Sequence, residues 1–256
     1  AFSVGNTGAS GNAVIGGLVG LNDSSGRISD SYTSGNVNGN GAAAIGGLVG
    51  QNRNGSLANV KTSGTVSDRS GIDVGGLVGS NYNGTIQSSV ARGKTTGGDN
   101  SHTGGLVGYN GGDLLAVEAS GEVYAGANSS VGGLVGTNVP TNGTAIVSGV
   151  ASGNVKGESR SLVGGLVGNN QGAVSASSAS GMVSGGSYVT MGGLIGLNHG
   201  EVDFSTASSK VNFVSSYSQN YGGLVGVNFG RMQGNRVSGN AAQLPQAGIN
   251  YGTIVQ

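Results

Sequence analysis

The chain holds two histidines, His102 and His199, and no cysteine, so metal binding and nucleophilic catalysis have few residues to draw on. His102 falls in a turn and His199 in a corner of variable length, three repeats away. That separation assembles neither a metal pair nor a Ser-His-Asp group, and both histidines read as exposed turn residues. Glu201 and Asp203 are the remaining candidates for acid–base work. They flank an inward Val202 and project outward from one strand about 7 Å apart, a spacing that suits an inverting glycosidase. One repeat later, however, the aligned position is Arg231, directly beside Glu201, and a cross-coil ion pair between them is the simpler reading. No GGxGxD calcium repeat occurs. The chain is therefore expected to be no enzyme and to carry no catalytic residue, metal or cofactor.

These residues are mounted on a repeat. The phrase GGLVG, followed by one variable residue and asparagine, begins at Gly16, Gly46, Gly75, Gly104, Gly132, Gly164, Gly192 and Gly222, one copy reading GGLIG. Successive copies are 30, 29, 29, 28, 32, 28 and 30 residues apart, and a period of this length means stacked units. Gly, Ser, Asn and Val are weak helix formers and no 3.6-residue apolar pattern appears, which leaves an all-β parallel β-solenoid. Within each unit an apolar residue follows the asparagine, from Ile28 and Leu57 through to Met232. Five positions on stands a small inward residue (Thr33, Thr62, Ala91), and four further a valine row that fails at Ala241. These offsets predict about three short strands per coil of 28–32 residues, eight full coils plus partial ends, and one domain over residues 1–256. Eight coils of about 4.8 Å each make a rod about 40 Å long.

In the phrase itself Leu18 and Asn22 share parity, so both point inward. Each stacked leucine contributes about 2 kcal/mol of transfer free energy. A buried amide is tolerated only when hydrogen-bonded. Asn22, Asn52, Asn81, Asn110, Asn138, Asn170, Asn198 and Asn228 are therefore expected to stack as a structural ladder. Strict alternation then sends Ile15, Gly17 and Val19 outward as an apolar stripe. Either a bulge turns the valine inward or something covers the stripe, because an open stripe would be an association surface; burial is the expectation. A second outward row is almost all serine (Ser34, Ser63, Ser120, Ser152, Ser180, Ser208), with Arg92 the odd member.

Eleven acidic and eleven basic residues give zero net charge, which supplies no field for nucleic acid or an anionic membrane. No apolar run is long enough for membrane insertion, and the opening residues lack the charged start and apolar core of a signal peptide. Ice binding would want an outward threonine face where this chain shows serine. Length variation concentrates in one corner: the apolar residue follows the asparagine by 6, 5, 5, 4, 8, 4, 4 and 4 positions. Loops accept insertions that strands in register cannot. The longest corner, VPTNGTA at residues 139–145, is the candidate ligand loop, through Val139, Pro140, Thr141, Asn142 and Thr144. Leu115 and Val147, in adjacent coils beside it, form a small exposed apolar patch that surface scatter also explains. Glycosylation sequons stand at Asn22, Asn54, Asn83, Asn128 and Asn142, of which Asn22 belongs to the ladder. A ninth coil starts at NYGTI (Asn250–Ile254), and neither end carries a polar cap. The expectation is an excerpt of a larger protein with flanking domains.

GGLVGxN, followed by a corner glycine and then by ASGxV, resembles the Glug motif of large secreted bacterial proteins. These include adhesins of the filamentous-haemagglutinin type and IgA-specific peptidases. The resemblance runs from Gly16 to about Gly239 and implies a secreted or cell-surface β-solenoid outside any catalytic centre. The HExxH of a zinc peptidase and the NPNG of a secretion domain are both missing. The function expected is the rigid shaft of an adhesin whose corner loops touch host glycan or surface protein. The alternatives are a carbohydrate-active β-helix, an ice-binding solenoid and a pure spacer.

Overall fold

Each repeat closes one coil, and each strand pairs in parallel with its equivalents one coil above and below. The computed structural model describes residues 1–3, 5–139, 145–213 and 220–255. Over these the chain is the expected parallel β-solenoid of about eight coils. Sheet A contains nine two-residue strands such as Tyr32–Thr33 and Lys61–Thr62, and sheet B eight strands such as Val37–Asn40 and Val66–Asp68. Sheet C has eight strands, including Ala44–Gly46 and Asp73–Gly75; sheet D has sixteen, mostly two per coil, as in Val49–Arg53 and Ser56–Ala58. In two coils those sheet D segments fuse, as Val78–Gln87 and Val107–Leu115. A coil thus carries up to five segments where the offsets suggest about three. The difference arises at GGLVG, which is two strands joined by a bend and not one continuous strand.

That bend settles the apolar stripe. The amide N–H groups of Leu48 and Val49 both donate to the Leu77 carbonyl of the next coil, at 2.9 and 3.1 Å. Leu77 and Val78 repeat the pattern onto Leu106, and the later coils follow. Two successive amides sharing one carbonyl mark a tight bend, with the coils still paired one to one on either side, and it breaks the alternation so that leucine and valine both enter the core. Leu48, Val49, Leu77, Val78, Leu106 and Val107 are all fully buried. Of the residues that strict alternation would expose, Ile15 is buried and Val19 partly buried against the core.

The interior is divided. One cluster joins Leu48, Val49, Leu57 and Ala91 of sheets D and A with Val60, and others join the Val37, Ile45, Val66 and Val74 rows of sheets B and C. Between them the glycine corner reaches across to sheet A, where the Thr33 and Thr62 hydroxyls donate to the Gly47 and Gly76 carbonyls at 2.8 and 2.9 Å. The serine row lies outside, exposed at Ser63, Ser152, Ser180 and Ser208 and half-buried at Ser34 and Ser120.

The asparagine ladder is continuous. Each Nδ2 donates to the Oδ1 of the next coil, from Asn22 to Asn52 at 2.7 Å through to Asn228 to Asn250 at 2.7 Å. The second amide proton goes to a glycine carbonyl in the same coil, as from Asn52 to Gly55 and from Asn110 to Gly112. Asn250 is a ninth rung, one more than the eight repeats predict. Where the valine row fails at Ala241, a 3-10 turn over Gly239–Gln243 replaces the sheet B strand and still buries Ala241. The residues that follow, LPQAG at 244–248 where GGLVG would stand, keep the same bend, with Leu224 and Val225 both donating to the Gln246 carbonyl.

Candidate functional site

The outer faces of sheet C and the first segment of sheet D press together backbone to backbone, and glycine makes this approach possible. A Cβ on Gly75 would stand 1.9 Å from the Val78 carbonyl oxygen, and one on Gly108 would stand 2.5 Å from the Val74 amide nitrogen. The result is a closed seam running along the rod. Its mouth is lined by the residue two before each glycine pair and by the variable residue of GGLVGxN. On the sheet C side these are Val14, Ala44, Asp73, His102, Ser130 and Leu162; on the sheet D side Leu21, Gln51, Ser80, Tyr109, Thr137 and Asn169.

In the middle coils this mouth is polar. Asp73 is 5% exposed and Ser80 1%, and the Ser80 hydroxyl donates across the seam to Asp73 Oδ2 at 2.5 Å. His102 Nδ1 lies 2.8 Å from Asp73 Oδ1. A carboxylate only accepts, so this nitrogen carries the proton. The His102 ring packs 5.8 Å from Tyr109, whose ring lies 5.3 Å from Tyr82. Burial first, and then the Asp73 carboxylate, push both phenols up from their ordinary value of 10.0. His102 is therefore not the exposed turn residue expected: it belongs to the strand His102–Gly104 and is half-buried against a carboxylate. The signal was legible, since Asp73 and His102 both stand two residues before their glycine pairs.

His199 does lie exposed in the variable corner. Its ring stacks on Phe229 at 4.9 Å and 3°, and Phe229 on Tyr251 at 4.9 Å and 16°. Neighbouring rings cover one another's faces, so this is an aromatic ladder joining coils.

The carboxylate pair is arranged differently from the expectation. Glu201 is opposite Arg231 in register, yet the guanidinium turns to Asp203, 3.1 Å away. Arg231 also donates to Gln233 in its own strand. The expected Glu201–Arg231 pair is thus corrected to Asp203–Arg231, because the long side chain reaches diagonally to where a second acceptor helps hold it. With the arginine 41% exposed, the pair is screened, and Arg231→Ala is expected to shift urea unfolding by less than about 1 kcal/mol.

Of the candidate ligand loop, Pro140, Thr141, Asn142 and Thr144 lie outside the described residues. Val139 is half-buried, its N–H donating to the Asn110 carbonyl at 2.8 Å. Beyond the loop, the Ala145 N–H donates to Asp113 Oδ1 at 3.2 Å. Leu115 and Val147 pair in register as expected, Leu115 being 37% exposed. Sheet B adds a shallow groove of 240 Å³ among Lys94, Glu122, Tyr124, Asn154, Lys156 and Met182. Ligand pockets are usually larger, and its charges are already matched by the Lys94–Glu122 and Lys156–Glu158 pairs at 3.5 and 2.9 Å. The Lys156 ammonium, bonded to Glu158, holds that carboxyl below its ordinary range.

Residues 41–67 match the GLUG motif among protein-family models. That span is one coil, containing the strands Ala44–Gly46 and Val49–Arg53, the rung Asn52 and the sheet A strand Lys61–Thr62. Comparison with curated proteins and with solved structures returns no match.

Proposed function

We propose that this GLUG-motif solenoid is the rigid shaft of a secreted or cell-surface bacterial adhesin, holding its corner loops out toward host glycan or surface protein. The observation that carries the shaft reading is the unbroken ladder from Asn22 to Asn250, which ties each coil to the next through buried amides. A rod so joined resists bending and shear without a disulfide. The resemblance of the repeat to segments of large secreted bacterial proteins supports the extracellular setting. Loop variation at one corner, beside Leu115 and Val147, supports that corner as the place of contact. The competing carbohydrate-active reading needs a free carboxylate pair, and Asp203 is held by Arg231.

The test displays the chain on an array of glycans and matrix proteins, beside a variant with residues 139–145 cut to the shorter corner of the neighbouring coil. Binding by the parent chain that disappears in the variant is the expected result. Equal binding by both would remove this corner from the reading, and binding by neither would leave a shaft without adhesion of its own.

A further inference from the structure

We propose that Asp73, His102 and Ser130, on three successive coils at the seam mouth, form an acyl-transfer site in which the Ser130 hydroxyl takes up the acyl group. This chemistry is additional to the shaft role and does not depend on it. The three residues are direct neighbours in sheet C, Asp73 opposite His102 and His102 opposite Ser130. They share one outward row at steps of about 4.8 Å. Because Nδ1 of His102 is engaged by Asp73 one coil back, Nε2 is the ring nitrogen left for the next coil, where Ser130 stands opposite in register. Asp73 acts as a positioning residue: it fixes the tautomer that leaves Nε2 unprotonated, and Ser80 holds its second oxygen.

The architecture does not require these residues, for Val14, Ala44 and Leu162 fill the same row in other coils. A nearly buried carboxylate is costly unless bonded, so its presence here calls for a reason beyond stacking. The Ser130 hydroxyl forms no hydrogen bond among the described residues, which leaves it free to turn to Nε2; such contacts are often long before substrate binds. The fourth part comes from across the seam. Thr137 follows Ser130 by seven residues, as Ser80 follows Asp73. It is 4% exposed, and its Oγ1 has no partner among the described residues. Turned outward about its χ1 bond, this unengaged hydroxyl can donate to an oxyanion at the mouth.

The reaction balances with water as the second substrate. Ser130 Oγ attacks the ester carbonyl carbon while its proton passes to His102 Nε2, and the oxyanion is met by the Thr137 hydroxyl. The carbon–oxygen bond to the alcohol breaks, and the alcohol leaves with the proton from Nε2. Water then attacks the acyl-Ser130, giving its proton to Nε2, and Ser130 leaves with that proton restored. Ester and water become acid and alcohol. The seam is closed by glycine backbones behind these residues and offers no deep acyl pocket. The substrate class is therefore an ester of a short, acetyl-sized acyl group whose alcohol stays in solvent.

The experiment incubates the intact chain with p-nitrophenyl acetate, follows nitrophenolate release, and maps acetyl adducts by mass spectrometry after acid quenching. The expected result is a burst with the adduct on Ser130. Ser130→Ala, a change the row tolerates at Ala44, removes the burst and slows turnover about 100-fold or more. Thr137→Val, which keeps the side-chain shape and removes an unpartnered buried hydroxyl, slows acylation by about 100-fold without lowering the melting temperature. Asp73→Asn lowers kcat while leaving KM in place, and His199→Ala changes nothing. Hydrolysis by Ser130→Ala at the parent rate, an adduct confined to other residues, or release no faster than in buffer would each overturn the proposal.

Discussion

Replacing Asn110 by alanine lowers the unfolding free energy by about 3–9 kcal/mol, read as a lower urea midpoint. The figure follows from the three shortest bonds lost, those of the Asn81 Nδ2 proton, the Asn138 Oδ1 and the Gly112 carbonyl, and leaves out the longer 3.4 Å contact of the Gly112 N–H with Asn110 Oδ1. All three sit in the buried part of the ladder, and an orphaned buried polar group costs about 1–3 kcal/mol. The end of the ladder supplies the control. Asn22 donates to Asn52 but, as the first rung, sits at 8% exposure where water can reach its neighbours. Asn22→Ala is expected to cost less than half as much. Equal losses at the two positions would show that the ladder is not what joins the coils.

The second large effect lies in the seam. Gly108→Ala places a methyl group 2.5 Å from the Val74 amide nitrogen and 2.8 Å from the Gly79 carbonyl oxygen. Both neighbours are backbone, pinned by parallel pairing, so neither sheet can yield without breaking register. The expected cost is about 3 kcal/mol, at the upper end of overpacking penalties. Gly5→Ala, where a Cβ would meet nothing within 4 Å, should leave the thermal midpoint unchanged. A Gly108→Ala chain melting with the parent would mean that the two sheets stand apart in solution.

Much of this was legible without coordinates, for a physical reason. In a solenoid each residue's neighbours are its equivalents one period away, so aligning the repeats is already a contact map. The rows led by Ile28 and Thr33, the outward serines and the ladder from Asn22 all follow from that alignment. Even the Asp73–His102 contact was present in the alignment, because both residues occupy one row. The local surroundings of a histidine in a turn do not express this contact; only its row does.

What the alignment could not reach was the path of the chain within one coil. Periodicity reports which residues stack, whereas the direction each side chain takes at a corner depends on backbone angles that glycine leaves open. The bend at Leu48–Val49 therefore contradicts simple alternation, and it decides that both residues enter the core. The same bend folds sheet C against sheet D, which brings Ser80 to Asp73 and puts Thr137 and Ser130 at the equivalent positions two coils on. Likewise the choice of Asp203 over Glu201 by Arg231 turns on a diagonal reach that register alone does not express. Sequence by itself determined the stack, its ladder and its period, because those contacts repeat along one axis. Tertiary structure alone decided the seam and which rows meet across it, because those contacts join residues of different rows, where no repeat points to them.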